Sequence, residues 1–175
     1  MANIELIKNL IRDVPDFPKK GILFRDITPL LRDARGFAAV IDALAERIPR
    51  AATPDAIVGI ESRGFLFGAA LAIKLGCGFV PIRKPKKLPW KTHSQSYVLE
   101  YGTDTIEIHQ DALQKGQRAV IVDDLLATGG TAEAAGKLVA MCGAETASLL
   151  FVIELSALGG RSKLPSGSVQ SLLQY

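Results

Sequence analysis

The chain has 175 residues, 48% of them hydrophobic and 22% charged, which makes it globular and long enough for one substantial core. A formal net charge of +3 is too mild for a nucleic-acid surface and points instead to a local anion site. No apolar run approaches the ~20 residues that span a bilayer, so no membrane partner is expected. The opening MANIELIKNLIRDV reads as an amphipathic helix and carries acids, unlike a signal peptide. Cys77 and Cys142 lie in apolar segments without metal-ligand spacing and read as buried free thiols, in keeping with a cytoplasmic protein.

In chain order, an extended Pro-bearing piece holding Phe24 and Arg25 follows the first helix, and a second helix is expected near Phe37–Ile48. Ala56–Ile60 reads as a strand and Phe65–Leu75 as a helix, with Phe79–Arg83 a strand again. The stretch RKPKKLPWK, Arg83 to Lys91, holds five cations, and its prolines break any regular element, so it reads as a loop. Tyr97–Glu100 and Thr105–Ile108 alternate like a half-solvated antiparallel pair. A strand to Asp124, a helix near Ala132–Cys142 and a strand near Thr146–Ile153 complete the pattern. His93 reads as a loop residue and His109 as a surface strand residue, with no spacing for a transition metal. This order predicts an α/β fold: an open, mostly parallel sheet flanked by helices, with ligands at the strands' carboxyl ends. No repeat or linker divides the chain, so a single domain over 1–175 is expected.

The most informative stretch is Arg118 to Thr131, RAVIVDDLLATGGT. Ala119–Val122 is the continuous apolar run of a strand buried on both faces, and Asp123 and Asp124 then sit where it leaves the sheet. Adjacent carboxylates repel, so the pair needs hydroxyl donors or a cation. The turn Ala127-Thr128-Gly129-Gly130-Thr131 leads into a helix, whose free N–H groups suit a phosphate. No Lys follows the glycines, which excludes a Walker-type loop. A simple Asp cap on a tight turn is the bland alternative, but a cap needs only one acid. A second strand–turn–helix junction, Glu61-Ser62-Arg63-Gly64, lies at the same sheet edge, and its Arg can fork two donors onto one phosphate.

The acid pair with its small-residue loop resembles the phosphoribosyl pyrophosphate (PRPP) signature of the type I phosphoribosyltransferases. FRDITP and LEYG, in order with it, are similar to the adenine-specific branch of that family, and the likeness runs nearly to the closing SLLQY. The resemblance implies that Asp123 and Asp124 hold the ribose hydroxyls and that Ala127, Thr128, Gly129, Gly130 and Thr131 hold the 5′-phosphate. Glu61, Ser62 and Arg63 would form a pyrophosphate loop, with a cis peptide between the two residues before the Arg. Arg83, Lys84 and Lys87 would lie near the pyrophosphate on a flexible antiparallel loop that closes over the reaction centre. Leu23, Phe24 and Arg25 would bind adenine, on a small N-terminal hood made by about residues 1–34. Glu100 would be the catalytic acid/base.

The implied reaction is adenine plus PRPP giving AMP and pyrophosphate. Mg²⁺ is the implied cofactor, held mainly by PRPP and water with no direct protein ligand. A homodimer is also implied, with Arg63 near the subunit contact. Two other readings stay open on the residues alone: a PRPP-sensing regulator, for whose usual extra nucleic-acid domain the chain has no room, and an enzyme for 6-oxo purines, whose Lys near the hood has no evident counterpart.

Overall fold

The computed structural model describes residues 3–49, 53–98 and 102–175. The chain forms two compact units, Met1–Ala43 and Leu44–Tyr175.

In the first unit, helix α1 (Ile4–Asn9) is capped by Asn3, whose side chain accepts from the Leu6 amide at 3.0 Å. The expected helix stops there, and Arg12–Pro15 forms strand β1, paired antiparallel with β2 (Leu23–Asp26). The reason is a partner distant in sequence: Arg12 opposes Asp26 in register and bonds it through Nε at 3.0 Å, while Asp13 opposes Arg25. Such pairing overrides a short helical pattern. Helix α2 (Thr28–Arg32) has Pro29 in its first turn, and α3 (Ala34–Arg47) follows at once.

The second unit is built on a five-stranded sheet in the order β4-β3-β7-β8-β9, with every neighbouring pair parallel. Its strands are β3 (Ala56–Ile60), β4 (Gly78–Ile82), β7 (Arg118–Leu126), β8 (Glu145–Glu154) and β9 (Val169–Gln174). Between them in sequence lies the antiparallel pair β5 (Thr92–Val98) and β6 (Thr103–His109). Helices α4 (Arg63–Leu75) and α5 (Gly130–Met141) supply the crossovers. The sheet reads V-I-L-rich because both faces are covered. On one face Val58, Ile60, Ile121 and Phe151 join Ala135, Leu138 and Val139 of α5 in one core cluster. On the other face α4 packs against the opposite parity of β3: a methyl at Gly68 would lie 3.5 Å from both Gly59 Cα and Ile57 Cγ2.

From β3 the chain crosses to β4 on one side, then returns to add β7 on the other. The strand order therefore reverses between β3 and β7, and a crevice opens there at the carboxyl ends of parallel strands. The expected parallel sheet flanked by helices, with an antiparallel hairpin, is thus observed. Several boundaries differ. Strand β7 runs on through the acid pair to Leu126, because β8 reaches Glu154 and pairs with it in register. The closing residues, not assigned from sequence, add β9 to the edge.

Candidate active site

At the sheet's switch point the two turns face each other. Glu61 and Ser62 leave β3 through a cis peptide bond, as the resemblance implies, and α4 begins at Arg63. Across from them, Asp123 and Asp124 lie in the carboxyl-terminal half of β7. The two meet directly: Arg63 Nε lies 3.0 Å from Asp124 Oδ2, and Asp124 is buried. Gly64 makes the approach possible, because a methyl there would stand 2.6 Å from the Val122 carbonyl oxygen and 3.0 Å from Asp123 Oδ1. Burial, and then the neighbouring charge of Asp124, holds the Asp123 carboxyl well above the usual range. Asp124 is also raised by burial, opposed by the guanidinium of Arg63.

Two cavities flank this contact. One, of about 220 Å³, is lined by Arg63, Asp123, Asp124 and the run Leu125–Gly129, with Thr131 and Ala132 beyond. Helix α5 starts at Gly130 behind a left-handed Gly129 (φ +82°), and no side chain caps it. Its leading amides are left for a ligand. The other cavity, of about 250 Å³, is bounded by Glu61, Ser62, Arg63, Lys84, Tyr97 and the acid pair.

The basic loop is anchored to this second cavity by Glu61. Its Oε1 accepts from Arg83 Nη2 at 3.1 Å and Lys87 Nζ at 3.4 Å, and its Oε2 accepts from the Lys84 amide at 2.8 Å. Burial pushes the Glu61 carboxyl up, but the Lys84 amide, Arg83 and Lys87 together hold it below its ordinary value. Among the described residues the buried Arg83 Nε–H also has no partner. Lys84 Nζ pairs with Asp104 on β6 and lies 3.5 Å from the Tyr97 hydroxyl on β5. Trp90 is exposed, and residues 84–91 form no helix or strand, as expected of this loop.

The structure therefore brings together Glu61, Ser62, Arg63, Lys84, Asp123, Asp124, Ala127, Thr128, Gly129 and Thr131 around two adjoining cavities. Arg83 and Lys87 join through Glu61, and Gly130 through the first turn of α5. Leu23, Phe24 and Arg25 form β2 of the first unit, where the Phe24 ring meets Phe17 edge-on at 5.1 Å. Glu100 lies outside the described residues.

Sequence reading missed Tyr97 and Asp104 as partners of Lys84. Their signal is a cross-strand register, Tyr97 opposite Asp104, which alternation alone leaves unspecified. His93 sits on strand β5, paired with Ile108, and not in a loop. His109 ends β6 half-buried, and its buried Nε2 has no partner among the described residues, so it is not a plain surface residue. Both cysteines are free, but half-buried where full burial was expected, since each sits at a helix end. Among the described residues no group of three or more His, Cys, Asp or Glu is placed to hold a metal ion. No helix among them is long and apolar enough to cross a membrane.

Residues 30–165 match the model of the phosphoribosyl transferase domain. The chain belongs to the phosphoribosyl transferase family. Within it, the chain is 58% identical over 174 residues to an adenine phosphoribosyltransferase of Acidobacterium capsulatum, covering 99% of this chain and 96% of that one. The adenine phosphoribosyltransferase of Thermoanaerobacter pseudethanolicus superposes with a TM-score of 0.94 at 54% identity, over 99% of this chain and all 100% of that one. The enzyme of Saccharomyces cerevisiae, solved with an imino-altritol bisphosphate and adenine, superposes at 0.93 with 45% identity, over 97% and 98% of the two chains. The phosphoribosyltransferase fold expected from the acid pair and small-residue loop is the fold observed.

Proposed function

We propose that the chain is an enzyme of purine salvage that transfers the 5-phosphoribosyl group of PRPP to adenine, forming AMP and pyrophosphate. The observation that carries this reading is the Arg63–Asp124 contact, which joins a cationic turn to an acid pair and a helix N-terminus at one switch point.

In the reaction, the bond from ribose C1 to the pyrophosphate oxygen breaks, and a bond from C1 to adenine N9 forms. The N9 proton passes to a base. Asp123 and Asp124 bind the ribose hydroxyls, whose donors compensate two adjacent, mutually repelling carboxylates, one of them buried. Ala127–Thr131 bind the 5′-phosphate through the amides that open α5. Glu61, Ser62 and Arg63, with Arg83, Lys84 and Lys87, bind the pyrophosphate and stabilise the charge that builds on it as it leaves. The Arg83 Nε–H left without a protein partner supports that role. Closure of the 83–91 loop excludes water, which would otherwise trap the oxocarbenium-like centre as hydrolysed sugar.

Leu23, Phe24 and Arg25 bind adenine. Phe24 stacks on the ring, while the Leu23 and Arg25 main chains read the Watson–Crick edge, where a 6-oxo base would leave groups unpaired. Glu100 is the acid/base at the purine. About residues 1–34 serve as the base-binding hood of one phosphoribosyltransferase domain.

The hard-oxygen donors here suit Mg²⁺, but one carboxylate is paired with Arg63 and burial raises the pKa of the other, so the ion would be held mainly through PRPP and water. When bound, it neutralises the departing pyrophosphate. The protein is cytoplasmic and acts as a homodimer. Leu66 and Ile73, exposed one heptad apart on α4, support the dimer as an apolar face for a second copy to cover. Nucleotide formation from PRPP with each of adenine, guanine, hypoxanthine and xanthine tests the base assignment: adenine alone should react well, and preference for a 6-oxo purine would overturn it.

A further inference from the structure

Behind the 127–131 loop, away from both cavities, lies a charged cluster that no step above uses. Glu154 ends β8 and is buried, 5% exposed. Its Oε1 accepts from Arg161 Nε at 2.9 Å. Its Oε2 accepts from Arg161 Nη2 at 2.5 Å, Ser171 Oγ at 2.6 Å and Gln174 Nε2 at 3.3 Å. Arg161 spends its remaining nitrogen on the Val169 carbonyl at 2.8 Å. The guanidinium therefore forks onto one carboxylate and fixes a short turn, Gly160–Lys163, between the ends of β8 and β9.

That turn touches the loop backbone to backbone. A methyl on Gly160 would stand 2.1 Å from the Ala127 carbonyl oxygen and 2.8 Å from the Gly129 nitrogen. A methyl on Gly129 would stand 2.4 Å from the Gly160 carbonyl oxygen. Each glycine fills the space a side chain would need on the other, so the loop cannot shift toward the turn unless the turn moves too. A second tie holds the same corner: the Leu155 amide donates to the Leu126 carbonyl at 2.9 Å.

We propose that Glu154 and Arg161 are positioning residues for the phosphate-holding loop, acting through Gly160. Neither residue lines the two cavities. Burying the Glu154 carboxylate is costly where an apolar side chain would pack, even with Arg161 reaching it from the exposed side. Here its fork sets the direction of one turn, and the turn backs the amides that grip the sugar phosphate. A displacement of ~1 Å at such a grip is enough to cost up to ~100-fold.

The inference rests on the loop's assignment to the 5′-phosphate, and its test separates the two. Ribose 5-phosphate and pyrophosphate are titrated separately, with Mg²⁺, into wild type, Arg161→Gln, Arg161→Lys and Gly160→Ala by calorimetry. Arg161→Gln and Gly160→Ala should weaken ribose 5-phosphate at least ~10-fold and leave pyrophosphate unchanged. Arg161→Lys, which keeps the charge and loses the fork, should fall between. Equal weakening of both ligands would mean general damage and would overturn the proposal, as would wild-type ribose 5-phosphate binding in the folded variants. If Arg161→Gln fails to fold, Arg161→Lys decides the matter: ribose 5-phosphate binding as in wild type would overturn the proposal, and selective weakening would support it. Wild type that binds no ribose 5-phosphate would instead remove the loop's assignment, and this proposal with it.

Discussion

Arg63 Nε and Asp124 Oδ2 lie 3.0 Å apart, which couples the turn that opens α4 to the acid pair in β7. The guanidinium is 40% exposed on its side chain and the carboxylate 7%, so the contact has a dry side and a wet side. An anion arriving from the wet side can share Arg63 while Asp124 keeps its contact with the guanidinium. The same economy recurs at Glu61, which holds Arg83 and Lys87, and at Asp104, which holds Lys84. Each cation assigned to the pyrophosphate is kept in place by a carboxylate of the protein.

Asp123 is the first place where function and stability pull apart. Its carboxyl is raised by burial and by Asp124, so the folded state holds that proton more tightly than the unfolded chain. The sign follows: the contribution is fully present below the unfolded value and is lost as pH rises through the folded one. At pH 7 Asp123→Asn, which stays neutral, should therefore stabilise the free protein relative to wild type. The gain over wild type should shrink in thermal melts near pH 4. Calorimetry should show Mg·PRPP bound at least ~10-fold more weakly, since a carboxyl acceptor for the ribose hydroxyls is gone.

Glu61 is expected to set the order of the basic loop. Glu61→Gln keeps the shape but gives up the charge that gathers Arg83, the Lys84 amide and Lys87. Hydrogen exchange should then speed up about 10-fold at Lys84, the equivalent of about 1–1.5 kcal/mol. Unchanged protection across residues 83–88 would contradict the anchoring role.

Glu154 predicts an acid limb in the stability profile. Arg161 holds its carboxyl down to about 2 against the opposition of burial, helped by Ser171 and Gln174. A depressed carboxyl contributes stability above its unfolded value of about 4.5 and loses it as pH falls toward about 2. Glu154→Gln should cost about 2–3 kcal/mol at pH 7, and urea titrations should show that deficit closing as pH falls through this window. A deficit independent of pH would sink the argument.

Glu100 lies outside the described residues, and its role stands on LEYG alone. Glu100→Leu should keep Mg·PRPP affinity and lose ~10²–10⁴-fold in kcat, the range of one acid/base group. A wild-type kcat would remove Glu100 from the mechanism.

How much of this was legible depended on whether the signal was local. Ala56–Ile60 reads as a buried strand and is one, because an apolar run between two sheet faces needs no information about partners. The acid pair and the glycine loop read correctly as a strand–turn–helix junction for the same reason. Helix α4 starts two residues before the expected Phe65, since Arg63 and Gly64 serve the turn and the helix at once. What stayed hidden was set by distant pairing. Strand β1 exists because Arg12 meets Asp26, and the Lys84–Asp104 and Glu154–Arg161 pairs join residues from separate elements. No periodicity encodes those contacts.

The most direct measurement follows AMP and pyrophosphate together after wild-type protein is mixed with adenine, PRPP and Mg²⁺. The two products should appear in equal amounts and only when adenine is present. PRPP consumed without AMP, or no turnover at all, would contradict the central claim.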